Sequence, residues 1–204
     1  MRLQSPPSAL RADAARNRER IVAAAAEVFA ERGLDAATAE IAHRAGVGEA
    51  TLFRRFPHKD ELIDAIIETR MEEIAALADA AADDPDAARA LERFMQDVVK
   101  RFARDRGFFE AAGARCVTDP RFQPLRERSL EAVGRLLKRA QAAGAVRGDL
   151  SASDISFLAA SAAHTMTVPL PGAHEDLWKR YLRVILDGMR PEGASRLRPG
   201  APTL

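Results

Sequence analysis

The sequence predicts an all-α fold, and three observations carry that reading. The hydrophobic fraction of 47% is held largely by alanine, the strongest helix former, while Thr, Tyr and Val are too thinly spread for a strand-rich fold. Apolar residues recur three and four apart over long windows, the period of a helix with one buried stripe. Between those windows stand Gly33, Gly46, Pro85, Gly144 and Pro169-Leu170-Pro171-Gly172, where helices should stop. A chain of 204 residues is long enough to bury a substantial core.

Nine helices follow from this pattern. Residues 1–14, with Ser5-Pro6-Pro7-Ser8, are expected to form a flexible tail. The first helix is expected from about Arg16 to Arg32, burying Ile21, Ala25, Val28 and Phe29, with Gly33 as its stop. Two short helices occupy about 37–56, and a fourth starts near His58 and carries Leu62, Ile66, Ile67, Ile74 and Leu77. Asp83-Asp84-Pro85 breaks it, with Pro85 suited to the first turn of the fifth helix. Leu91, Phe94, Met95, Val98 and Phe102 give that helix a wide apolar stripe ending at Arg106-Gly107. A short sixth segment, Phe108 to Cys116, precedes a turn at Asp119-Pro120. The seventh, about Pro124 to Ala143, buries Leu130, Val133, Leu137 and Ala140. Ser151-Ala152-Ser153-Asp154 matches a capping box and should open the eighth, which runs on through Ile155, Leu158, Ala159, Ala162 and Ala163 to Met166. The ninth, about His174 to Met189, shows Leu177, Tyr181, Val184 and Ile185. Residues 191–204, rich in Pro, Gly and Arg, are expected to be a second flexible tail. No internal repeat is present.

Chemistry concentrates in the second and third helices. Ile41, Ala42 and Ala45 form one apolar face, Gly46 supplies the backbone freedom of a tight turn, and Val47 plugs the angle. Leu52 and Phe56, four apart, give the next helix its buried edge, leaving Glu49, Ala50, Thr51 and Arg54 outward. Small residues let a helix enter the major groove closely, and polar ones can read base edges there. The spacing predicts a helix-turn-helix that binds double-stranded DNA. The DNA-facing set is Thr38, Gly48, Glu49, Ala50, Thr51, Phe53, Arg54, Arg55, His58 and Lys59. Glu49 has two readings: it accepts a hydrogen bond from cytosine N4, or its charge favours the positive N-terminus of a short helix. Arg54 meets DNA, pairs with Glu49 or stays in solvent.

Residues 16–67 resemble the N-terminal domain of TetR-family transcriptional regulators. The resemblance is carried by Ile41-Ala42, Ala45-Gly46-Val47, Thr51-Leu52-Phe53 and Phe56-Pro57-x-Lys59, in that order and spacing. It implies an all-helical homodimer whose C-terminal domain binds a small ligand and whose last two long helices form the dimer interface. The domains would then be a DNA-binding head over 15–62 and a helical effector-binding and dimerisation domain over 63–190. The chain departs from the pattern in four places. Thr38 stands one residue short of the usual hydroxyl position, so it either caps its helix or touches a phosphate. Gly48 replaces a Ser or Thr cap, Phe53 replaces a Tyr, and His58 replaces a small hydroxyl residue. His58 either donates to a phosphate or is solvated.

Net charge is only +1, so no whole-molecule field draws the chain to DNA. Residues 1–62 carry ten Lys/Arg against nine Asp/Glu, a difference of one. Affinity must come from local placement: the Arg54, Arg55, His58, Lys59 cluster and an arm of Arg11, Arg16, Arg18 and Arg20. One cysteine, Cys116, excludes an internal disulfide and suits a reducing cytoplasm, where the chain is expected to act. It is a redox sensor or a buried small hydrophobe. No run approaches the roughly 18 apolar residues of a membrane span and no signal peptide opens the chain, so no membrane partner is expected. His43, His58, His164 and His174 show no metal-ligand spacing, and no nucleophile elbow or phosphate loop appears, so neither metal, cofactor nor catalysis is expected.

In the C-terminal domain, Phe94, Met95, Val98, Phe102, Phe109, Cys116, His164 and Trp178 are the residues from which an apolar effector pocket would be built. Each is also suited to plain core packing. Ala159 to Ala163, small in succession, fit a close dimer contact or an internal helix face. The function expected is a dimeric repressor released from a near-palindromic operator by a small apolar effector. The alternative is an all-helical small-molecule-binding or catalytic protein with a decayed DNA head.

Overall fold

The computed structural model describes residues 7–104, 113–165, 176–192 and 194–201, which divide into two compact units. The first comprises 7–69 with 113–114, and the second 70–104 with everything from 115 onward. Every regular element among the described residues is helical.

In the first unit, α1 (Pro7–Arg32) buries Ile21, Ala25, Val28 and Phe29 and ends where Gly33, at φ 77°, donates its N–H to Phe29 O. The helix begins at Pro7 rather than near Arg16, so the tail expected over 1–14 is helical from residue 7. The reason is local: proline is preorganised for a first helical turn, and Ala9-Leu10-Arg11-Ala12 are strong helix formers. Then come α2 (Thr38–Ala45), α3 (Glu49–Arg55) and the start of α4 (Lys59–Ala82). Ile41, Ala42, Ala45, Leu52, Phe56 and Leu62 are all buried, joining the α1 stripe in one core. The division between units falls within α4, between Thr69 and Arg70.

The second unit holds α5 (Ala87–Arg104), a helical stretch at 113–118 (α6), a 3₁₀ turn at Pro120–Phe122, α7 (Gln123–Ala142), α8 (Ala152–His164) and α9 (Leu177–Gly188). Its core joins Leu91, Met95, Val99, Leu136, Ile155, Ala159, Trp178 and Leu182. Pro85 lies two residues before α5 instead of in its first turn, because Asp86 takes the cap and accepts from Arg89 N at 3.1 Å. The capping box of α8 is present: Ser151 Oγ accepts from Asp154 N at 3.2 Å, and Ser151 N donates to Asp154 Oδ2 at 2.7 Å. The segment expected to trail loosely after 191 is held in part, since buried Arg147 donates to Ser195 O as well as to Asp149. Arg147 N also donates to Met189 O at 2.8 Å, tying the α7–α8 loop to the end of α9. Phe108, Met166, the 169–172 run and His174 fall outside the described residues.

Helix α2 starts without a side-chain cap. Its N-cap is Ala37, in the extended backbone (φ −70°, ψ 138°) that a capping serine adopts, with Glu40 at the third helical position. Ala37→Ser is therefore expected to complete a capping box and stabilise the head by about 1 kcal/mol. A thermal melt reads this directly; an unchanged midpoint would mean that the free N–H groups of this turn are already well solvated.

Candidate nucleic-acid interface

The interface is built on the angle between α2 and α3. Gly46 closes α2 in the left-handed region at φ 63°, with Gly46 N bonded to His43 O and Val47 N to Ala42 O, both at 3.0 Å. A side chain there would meet a second obstacle, because a Cβ on Gly46 would lie 2.7 Å from Arg20 Nη2. Arg20 donates to the carbonyls of Ala45 and Gly46, covering the C-terminal end of α2 from the side of α1. Arg44 grips Glu31 of α1 through two bonds of 2.6 and 2.8 Å, and Glu40 bonds Arg32 at 3.0 Å. The Arg44 guanidinium holds the Glu31 carboxyl below its usual range. These contacts fix α2, and α2 in turn fixes the direction of α3.

Helix α3 is seven residues long, with Gly48 as its extended N-cap. Gly48 O accepts from Thr51 N at 2.9 Å and Leu52 N at 3.1 Å, closing the first turn without a side chain. At about 100° per residue, buried Leu52 sets the inner face and places Ala50 and Arg54 opposite it. Phe53 and Thr51 flank that outer line, while Glu49 and Arg55, at the two ends of the helix, lie about 60° to either side of Leu52. Glu49, Ala50, Arg54 and Arg55 are exposed, Thr51 is half-buried, and the Phe53 ring is 44% exposed despite its size. His58 is exposed just before α4. Lys59, the first residue of α4, is half-buried, with its ammonium 5.7 Å from the centre of the Phe29 ring.

Thr38 is half-buried at the first position of α2 and does not cap it, since the N-cap position one residue earlier is Ala37. The arm of arginines on α1 is also reassigned. Arg16 pairs with Asp13, Arg18 bonds Glu68 at 3.3 Å and lies over the Phe56 ring, and Arg20 covers the end of α2. Arg11 has no described side chain. Arg54 and Arg55, by contrast, have neither ion pair nor hydrogen bond, and Arg54 does not pair with Glu49. Among the described arginine side chains of the head, the unpaired charges stand at the C-terminal end of α3. Sequence reasoning missed Arg20, Glu31 and Arg44 as the residues that set α2; the four-residue spacing of Glu40 and Arg44 was the one local signal.

Of the residues expected to line an effector pocket, five meet in one core. Phe94, Met95, Val98 and Trp178 are core side chains, with half-buried Phe102 packed against them. Cys116 is half-buried with its Sγ 3.7 Å from Met71 Sδ, and burial pushes its thiol pKa up, away from a reactive thiolate. His164 is exposed at the end of α8, a correction to its place in the pocket set: the helix turns Ala159, Ala162 and Ala163 inward, and His164 faces away from them. Phe109 lies outside the described residues. Among the described residues no cluster of His, Cys, Asp and Glu could hold a metal, and no helix is long and apolar enough to cross a membrane.

Comparison with known proteins gives a consistent likeness. Residues 21–66 match a family model described as bacterial regulatory proteins of the tetR family, and residues 84–191 match one described as the SbtR-like transcriptional regulator C-terminal domain. A TetR transcription regulatory protein from Mycobacterium vanbaalenii is 36% identical, with 89% of this chain and 99% of that chain covered and a TM-score of 0.68. A TetR transcriptional regulator from Streptomyces coelicolor is 30% identical, with 86% and 99% covered and a TM-score of 0.67. The fatty acid degradation regulator FadR from Bacillus halodurans, at 17% identity and a TM-score of 0.65 over 92% of this chain and 99% of its own, shares the fold.

Proposed function

The chain belongs to the TetR family of bacterial transcriptional regulators, and we propose that it acts as a dimeric repressor released from a near-palindromic operator by a small apolar effector. Regulators of this family bind DNA and act as dimers. The observation that carries the reading here is the outer face of α3: small at its centre, aromatic on one flank, and ending in two unpaired arginines. It argues against a decayed head, in which those arginines would have no reason to stay free of the carboxylates that engage Arg16, Arg18, Arg32 and Arg44. Two such heads, about 34 to 36 Å apart or a multiple of that, would read two half-sites.

Release needs a second conformer in which the heads are wrongly spaced. A full reversal from bound to free requires about 5.5 kcal/mol of differential effector binding, and partial release requires less. The apolar interior around Phe94, Met95, Val98 and Trp178 favours an uncharged, largely apolar effector that opens space there on binding.

A salt-dependent, sequence-selective shift of DNA from upstream of the chain's own gene is the test. Absence of any sequence preference there, at low and moderate salt, would sink the repressor reading. Within the same assay Lys59→Ala is expected to weaken binding about equally on all sequences and to reduce the salt slope by roughly one unit per head. Coincident slopes would leave Lys59 as a packing residue against Phe29.

A further inference from the structure

We infer that Glu49 is the base-selecting residue of the head and that it specifies a C·G pair in each half-site by accepting a hydrogen bond from cytosine N4. The inference rests on the DNA-binding reading above. Glu49 is the first residue of α3, and in a helix-turn-helix the N-terminal residues of the second helix are those that reach base edges. Its chain neighbours are Gly48 and Ala50, which add no bulk of their own at the helix start.

The carboxylate is exposed and makes no ion pair or hydrogen bond, as is also true of Glu19, Glu27, Asp35 and Glu61, but Glu49 is the one acid on α3, the helix that faces the groove. An unpaired negative charge on a surface that approaches a polyanion is repelled unless a donor waits for it. Cytosine N4 and adenine N6 are the donors of the major groove, and adenine sets the N7 acceptor beside its amino group, against the carboxylate's second oxygen. Cytosine is therefore the matching base. A thymine in its place presents the O4 acceptor where the donor stood.

The test selects randomised duplexes with the full wild-type chain, E49Q and E49A, then measures binding to the selected site with its C·G pair exchanged for T·A. Wild type should enrich a near-palindromic site with cytosine at one position of each half, and the exchange should weaken it about fivefold to a hundredfold per half-site. E49Q, whose amide can donate to O4, should bind both duplexes nearly equally, and E49A should lose preference at that position alone. Identical preferences in all three proteins, with E49A melting at lower temperature, would overturn the inference and leave the DNA-binding reading standing; Glu49 would then serve only the helix N-terminus. A wild-type site lacking an invariant C·G pair overturns it too. If wild type enriches no sequence at all, both readings fall together.

Discussion

Replacing Arg54 and Arg55 together by glutamate is expected to abolish operator binding while leaving the fold intact. Both side chains are exposed and unpartnered, so the exchange breaks no contact, and stability should stay within about 0.5 kcal/mol of wild type. On DNA the effect is large because the dimer carries the pair twice. A charge-assisted hydrogen bond is worth about 1.5–3 kcal/mol, and losing four of them predicts a fall of more than roughly a thousandfold before repulsion by the new carboxylates is counted. The salt dependence should change as well: four fewer phosphate contacts would lower the slope of log K against log salt by roughly three to four. Lys138→Glu, an exposed charge reversal on α7 in the other unit, is the control and should change neither quantity much. Anisotropy titrations of the double variant that match wild type at two salt concentrations would show that the end of α3 does not meet the DNA backbone.

The parts of this interface that were legible in the sequence are those held by contacts a few residues apart. Ile41, Ala42 and Ala45 mark α2, Gly46 marks the turn, and Leu52 with Phe56 marks α3, because helical spacing within one short stretch decides which side is buried. The capping box at Ser151 is local in the same sense. What stayed hidden depends on partners brought close by folding. Arg18 and Arg20 read as free cations of a DNA arm, yet their partners lie 50 and 25–26 residues away, at Glu68 and at the Ala45 and Gly46 carbonyls. Nothing near them in the chain announces those contacts. Pro7 misled for a different reason: proline punctuates helices, but it is also compatible with a first turn, and the residues after it favour continuation. The alanines of α8 show the same ambiguity at the level of packing. A small-residue stripe admits a close neighbour and does not say whether that neighbour is in the same subunit or another. Here Ala159, Ala162 and Ala163 turn toward the subunit's own core, which includes α5 and α7.

That finding moves the expected dimer contact to the opposite side of α8 and sets the last prediction. Ala162 is 1% exposed in the single chain, so Ala162→Arg would place a charge in the subunit core and unfold it, reporting nothing about dimerisation. The apolar groups left outward are Phe157 at 46% exposure on α8, with Ala160 beside it, and Tyr181 at 44% and Val184 at 65% on α9. Among the described residues these side chains on neighbouring helices keep about half or more of their surface uncovered, and a second copy presenting the same face would bury both sets. Val184→Arg is expected to yield a folded monomer by light scattering, with helical circular dichroism retained. The cost of burying an unpaired ion is on the order of several kcal/mol and is incurred twice in a symmetric pair, enough to dissociate a modest dimer. Operator binding should fall with it, since a lone head makes half the contacts and loses the second half-site. A Val184→Arg protein that stays dimeric and binds its operator would place the interface elsewhere. One that is monomeric but binds as tightly as wild type would remove the dimer from the mechanism altogether.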